Sequence, residues 1–196
     1  MDKVKIGWGE VDITPKKGQK INLAGQFFER ITDQVESPLK VIAMAVESGN
    51  EQMIIVSCDL VSVSQNLNEA VKENLKDKLE ISVDKVILSA IHTHTSYTYT
   101  RNSALMYKLK KMGSNSVQAF DYFKKVLPPD MKYVPLASDE KSLPPQEALE
   151  FLVEKISEAV ILAWKNRKPA YYQNAFGRAV VGMCRRVCYD DKSAKM

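Results

Sequence analysis

Histidine is scarce in this sequence. There are two in 196 residues, and both fall in one tripeptide, His92-Thr93-His94. A site built from three histidines is therefore excluded for these residues alone. Cysteine is almost as rare: Cys58, Cys184 and Cys188 make an odd number with no paired framework, so a disulfide-stapled fold is excluded as well. Cys58 sits in an apolar run and reads as a small core residue. Cys184 and Cys188, four apart in an extended segment, would stand about 13 Å from each other, too far to chelate. Charge of one sign is also lacking. With 28 basic against 24 acidic residues the net charge is +4, too slight an excess for a nucleic-acid binder, and Lys108-Leu109-Lys110-Lys111 is too short for a binding patch. No apolar run approaches membrane-spanning length, and Met1-Asp2-Lys3-Val4-Lys5 lacks the apolar core and small-residue cleavage site of a signal peptide. The expectation is a cytoplasmic protein. What remains, 45% hydrophobic and 27% charged, is the composition of an ordinary globular domain.

The two histidines close an apolar run, Ile87-Leu88-Ser89-Ala90-Ile91. If the run is a strand that continues through them, residues two apart share a face about 6.6 Å from each other, and both rings look into one site. Spacing alone also fits a polar strand end. The preceding residues add a second strand, Met53 to Cys58, ending in Asp59. Between the strands, Leu67, Ala70, Val71, Leu75 and Leu79 recur at the period of an amphipathic helix. Strand, helix, strand makes a βαβ unit with parallel strands, which puts Asp59, His92 and His94 at the carboxyl edge of one sheet, where open α/β folds place ligands. Imidazoles gathered there suggest metal binding or proton transfer.

The expected fold is α/β: a mixed sheet with a βαβ core covered by helices. Val4 to Trp8 reads as a first strand. Lys40 to Glu47, the turn Gly49-Asn50 and Gln52 to Cys58 make a hairpin. In the polar loop Gly18 to Phe28 and just after it, Gln26 and Arg30 read as surface residues in preference to residues near a substrate. Residues 101–142 read as a variable insertion or lid over the site, or equally a surface excursion with no role, with one helix over Val117 to Val126. Leu149, Leu152, Val153, Ile156, Val160, Ala163 and Trp164 then mark a helix opened by Pro144-Pro145 and ended near Asn166. Ala170 to Phe176 is expected to be a strand, and Arg178 to Tyr189 an extended segment before a turn at Asp190 to Ser193. The return strand of that hairpin is expected to be missing, so the sequence reads as an incomplete domain.

Four stretches resemble one family. Leu88-Ser89-Ala90-Ile91-His92-Thr93-His94 resembles the Ser-Ala-Thr-His-Thr-His signature of the neutral/alkaline, non-lysosomal ceramidases and their smaller bacterial relatives. Gly7 to Pro15 resembles their opening Gly-x-x-x-x-Asp-Ile-Thr-Pro element, Ser37 to Val46 the strand that follows, and Val56-Ser57-Cys58-Asp59-Leu60 the Val-Ser-x-Asp-Leu strand end. The likeness runs from about residue 5 to residue 100 and returns weakly from Arg178 to Met196. It implies that residues 1–196 are the amino-terminal portion of a catalytic domain whose remainder is absent. It further implies zinc as cofactor, a lipid or small-molecule amide as substrate, and hydrolysis of an N-acyl linkage by metal-activated water. By the same resemblance His92 is the metal ligand, and His94 and Arg185 are catalytic, His94 near the polar head of the substrate. The family's other zinc ligands, a histidine, a glutamate and a tyrosine, lie beyond Met196. Asp59 is then a group that orients a histidine ring or serves structure, in preference to a ligand, since the family's metal set does not draw on it.

The sequence departs from the family at two places. Thr95-Ser96-Tyr97-Thr98-Tyr99-Thr100 stands where a Ser-Gly-Pro-Gly-Gly run is usual, so the tyrosines are expected to narrow or repolarise the site, and Cys184 stands where asparagine precedes the arginine. These departures leave a second reading open: a non-catalytic scaffold, binding protein or inactive gene fragment that keeps the fold without the full metal site.

Overall fold

A computed structural model describes residues 4–25, 30–100, 142–182 and 187–195. Among the described residues its centre is a sheet of five strands, in the order β6 (Val86–Ala90), β5 (Glu51–Cys58), β4 (Lys40–Ser48), β1 (Lys5–Asp12) and β7 (Lys168–Pro169). β1 (Lys5–Asp12), β4 (Lys40–Ser48) and β5 (Glu51–Cys58) are antiparallel neighbours. β4 and β5 form the expected hairpin, turning through Gly49, whose φ of 56° suits a residue without a Cβ. From β5 the chain crosses through α1 (Gln65–Leu75) and returns as β6 (Val86–Ala90), parallel to β5. The sheet is therefore mixed and the βαβ unit is present.

The second helix, α2 (Pro145–Lys165), lies on the sheet with Leu152, Ile156, Val160 and Ala163 buried. It can approach because β1 turns Gly7 and Gly9 toward it. A Cβ on Gly7 would stand 2.2 Å from the Ala163 carbonyl oxygen, and one on Gly9 2.2 Å from that of Ala159. Leu67, Val71 and Leu75 of α1 join the same core, and Asn74 of α1 donates to Ser157 of α2 at 2.8 Å. The opposite sheet face carries Trp8, Ile42, Met53 and Ile87 exposed, Trp8 at 58%. Among the described residues both helices pack into the core on one side.

Two short ladders stand apart from the main sheet. β2 (Ile21–Asn22) pairs with β3 (Ile31–Thr32), and β8 (Val187–Cys188) pairs with β9 (Ala194–Lys195). The second pair corrects one expectation, since a return strand follows the turn at 190–193. Another correction concerns residues 170–176. Only Lys168–Pro169 pairs with β1, as β7, and Tyr171, Tyr172 and Phe176 beyond it are exposed side chains outside any strand. High β-propensity alone does not make a strand where no partner edge is within reach. The insertion at 101–141, its Val117 to Val126 helix, Gln26, Cys184 and Arg185 lie outside the described residues.

The motifs that opened the resemblance have structural work. At the exit of β1, Asp12 accepts from the Thr14 backbone N–H at 2.6 Å, and the Thr14 hydroxyl accepts from Leu39 N–H at 2.9 Å. The bonds from Thr14 hold the Asp12 carboxyl below its ordinary pKa. Ile13, fully buried, donates its N–H to the Leu39 carbonyl. This clamp fixes where β4 begins.

Candidate metal and substrate site

The strand that carries the histidines stops before them. β6 ends at Ala90, Ile91 N–H still reaches the Cys58 carbonyl, and then His92 adopts φ of 65°. That left-handed conformation is uncommon for residues other than glycine, and histidine is among the side chains that tolerate it. The kink corrects the expected continuous strand. It does not spread the rings by a strand repeat; it folds His94 back on His92. The two Nε2 atoms lie 3.4 Å apart, with ring centroids 4.9 Å apart and planes at 81°.

What holds each ring differs. His92 Nδ1 lies 2.7 Å from the Val61 carbonyl oxygen. A carbonyl only accepts, so Nδ1 carries the proton and the Nε2 lone pair is turned toward His94. His94 is held through its backbone and its ring face. Its carbonyl accepts from Arg30 Nη2 at 2.5 Å, and the same Nη2 donates to the Ala24 carbonyl at 3.2 Å. Gly25, at φ of 89°, lies under the ring: a Cβ there would be 2.5 Å from His94 Nδ1. Arg30, read from sequence as a surface residue, is thus drawn in to join two loops, and burial pushes its guanidinium pKa down.

The segment after the histidines forms a ladder with β2. Ala24 N–H donates to the Ser96 carbonyl and Thr98 N–H to the Asn22 carbonyl, each at 2.8 Å, with Leu23 and Tyr97 bridged between them. Tyr97 and Tyr99 do not narrow the site as expected. Tyr97 is buried with its hydroxyl donated to the Ile13 carbonyl at 3.0 Å, and Tyr99 donates to Ser62 and accepts from Ser64 N–H. Large rings with one polar tip fill the core where a carbonyl waits for that tip. They tie the histidine loop to the Asp12-Ile13-Thr14 clamp and to the start of α1.

Of the roles expected for Asp59, the described structure has it in the structural one. Its carboxylate accepts from Lys40 N–H at 2.8 Å, pinning β4 to the end of β5. The group that orients His92 is the Val61 carbonyl, and no side-chain pattern in the sequence could have named it. Gly25 had a faint signal, an isolated glycine after the apolar pair Leu23-Ala24, a usual mark of close approach.

The donor geometry suits a metal. Around a tetrahedral zinc with Zn–N of ~2.05 Å, two nitrogens stand about 3.3 Å apart, close to the 3.4 Å found here. The Nδ1 anchor on Val61 is the kind of outer contact that fixes a ligating imidazole. Among the described residues no cluster of three or more His, Cys, Asp or Glu is assembled, so the pair accounts for part of a ligand set.

No protein-family description and no curated protein matches the chain. Solved structures do. A neutral ceramidase from Pseudomonas aeruginosa aligns with a TM-score of 0.59 at 20% identity, and a ceramidase complexed with C2 with a TM-score of 0.57 at 19% identity. Each alignment covers 86% of this chain and 22% of the ceramidase chain. The likeness shows a shared fold, and the chain spans about a fifth of the length of those structures.

Proposed function

We propose that this ceramidase-like chain is the amino-terminal part of a zinc-dependent hydrolase that cleaves an N-acyl linkage, with a lipid or small-molecule amide as substrate. The observation that carries the reading is the pairing of His92 and His94 with Nε2 atoms 3.4 Å apart, on the fold of the neutral ceramidases. Zinc held there would supply Lewis acidity toward an amide carbonyl and toward water.

The chain's own residues divide the work. His92, its Nδ1 proton committed to Val61, presents Nε2 as the metal ligand. His94, its ring seated beside that of His92, takes the substrate-facing role by the polar head instead of a place on the metal. Arg30 and Gly25 set where that ring sits. Arg185, outside the described residues, is assigned a catalytic role by the family likeness alone. The remaining zinc ligands come from elsewhere than the described residues, so binding is a better readout than turnover.

The test is calorimetric titration of zinc into the 196-residue chain, His92→Ala and His94→Ala. Saturable zinc uptake that His92→Ala abolishes and His94→Ala largely keeps supports the assignment. Equal uptake by wild type and His92→Ala overturns it. Loss in both variants makes His94 a second ligand in place of a substrate-facing group.

A further inference from the structure

The sheet face turned away from the helices is apolar and, among the described residues, has no layer over it. Register sets which residues stand there. Trp8 lies across from Met44, Met44 from Ile55 and Ile55 from Ile87, so one apolar row crosses four strands. Ile6, Val46 and Met53 form a second row beside it. Trp8, Met53 and Ile87 are exposed. An antiparallel hairpin with one face in water alternates apolar with polar residues. In β4, residues 41–46 contain no polar side chain, the composition of a strand covered on both sides. The chain after β7 lacks cover in the same way. Ala170 N–H donates to the Val4 carbonyl at 2.8 Å, and beyond it residues 171–182 form an extended arm outside any strand or helix. Tyr171, Tyr172, Phe176, Val180 and Val181 are all exposed on that arm. Apolar patches on this scale mark contact surfaces.

We propose that this face is an interface between two copies of the chain, with the arm of each copy lying across the Trp8 row of the other. Charge favours a second copy. At one end of the rows Glu10 closes on Lys40 at 2.5 Å, and at the other Glu51 closes on Lys85 at 3.2 Å. A border of one sign would ask for a partner of the other sign, whereas closed pairs meet their own copy without repulsion. Area agrees. Four strands ~4.8 Å apart, about eight residues long at ~3.3 Å each, give on the order of 500 Å² per copy, so a pair of faces buries about 1,000 Å², the lower bound of a specific interface. Three aromatic rings on each arm, at roughly 150 Å² or more apiece, carry the total into the standard range of about 1,200–2,000 Å². β7 is the neighbour of the strand that bears Trp8, so each arm starts at the margin of the face. A two-fold axis over the face then sends it onto the other copy, and the assembly closes at two. Nothing in this pairing draws on the histidines or on zinc.

The experiment is sedimentation velocity on the 196-residue chain, without added metal, from submicromolar to tens of micromolar concentration. The expected result is a monomer–dimer equilibrium that shifts toward monomer on dilution. Trp8→Glu on the face and Phe176→Ser on the arm should each raise the dissociation constant at least about tenfold. Both side chains are exposed, so both variants should keep the fold, with circular dichroism as the control. Met53→Glu and Tyr172→Ser make the same comparison should either not fold. A monomer at every concentration overturns the proposal, whether another part of the same chain or a different protein covers the face. A dimer that neither variant weakens overturns it by placing the contact elsewhere. One that Trp8→Glu weakens and Phe176→Ser leaves unchanged overturns the exchange of arms, and species that keep growing with concentration overturn the two-fold closure.

Discussion

Gly25 and the imidazole of His94 are in direct contact across two loops, with room for a hydrogen but not for a methyl group between them. Gly25→Ala meets two obstacles: the left-handed φ of 89° and a Cβ 2.5 Å from Nδ1. The first costs roughly 1–2 kcal/mol, and the second must move the ring, which takes Nε2 away from His92. Gly18 separates the two effects. Its φ is 78°, but a Cβ there meets nothing within 4 Å. Gly18→Ala should lower stability by a similar amount and leave the His94 ring resonances in place, whereas Gly25→Ala should shift them as well. Unchanged His94 ring resonances in both variants would mean the ring position is not set by Gly25.

Arg30 is the second support. Its Nη2 bridges the carbonyls of Ala24 and His94, and each such bond to a charged donor is worth about 1.5–3 kcal/mol. Arg30→Ala should lose stability of that order and loosen His94. Arg30→Lys keeps the charge without the planar fork and should recover only part of it. Chemical denaturation, with the His94 ring resonances followed in the same samples, checks both. Unchanged ring resonances in Arg30→Ala would limit the arginine to a stabilising role.

The sequence made the main sheet legible because its signals are local. Alternating β4, the Gly49 turn, the apolar β5, the periodic α1 and the α2 stripe each depend on residues near one another, and each formed within a few residues of its expected bounds. The histidine site was legible in composition and not in geometry. Nothing in His92-Thr93-His94 announces a φ of 65°, and the kink is what brings the rings together. Backbone groups were invisible for the same reason: Val61 orients His92 through a carbonyl that every residue has. Tyr97 and Tyr99 misled because their hydroxyls suggested a site, while the acceptors that claim them, Ile13 and Ser62, are carbonyls distant in sequence.

Gly9 offers a test of how α2 is seated. A Cβ there would lie 2.2 Å from the Ala159 carbonyl and 2.8 Å from Ala163 N, both backbone atoms that cannot rotate aside. Gly9→Ala must push the helix off the sheet, which should cost about 3 kcal/mol or more. The midpoint of urea unfolding measures it. A loss under about 1 kcal/mol would mean that the helix shifts freely and that the Gly7/Gly9 pair is not what sets its depth.

Cys58 gives a prediction for alkaline pH. The thiol is fully buried at the end of β5, and burial, with the nearby Asp59 charge, pushes its pKa from 9.0 up to about 12. A raised pKa means that the folded state holds the proton when the unfolded chain has released it. The contribution is complete below pH 9 and is lost as pH rises from 9 toward 12. Tyr97, raised above its ordinary value by burial first and by Cys58 second, acts with the same sign further into the alkaline range. Unfolding free energy should therefore fall with pH above 9, each group adding a slope of up to about 1.4 kcal/mol per pH unit where only the unfolded form ionises. Cys58→Ala removes one group and should flatten the first part of that fall, even if it lowers stability at neutral pH by opening a small space beneath β5. Denaturation curves at pH 8, 9, 10 and 11 decide it. Parallel losses in wild type and Cys58→Ala would show that the thiol is not buried as described, and with it that the end of β5, from which the Val61 carbonyl reaches His92, is seated differently.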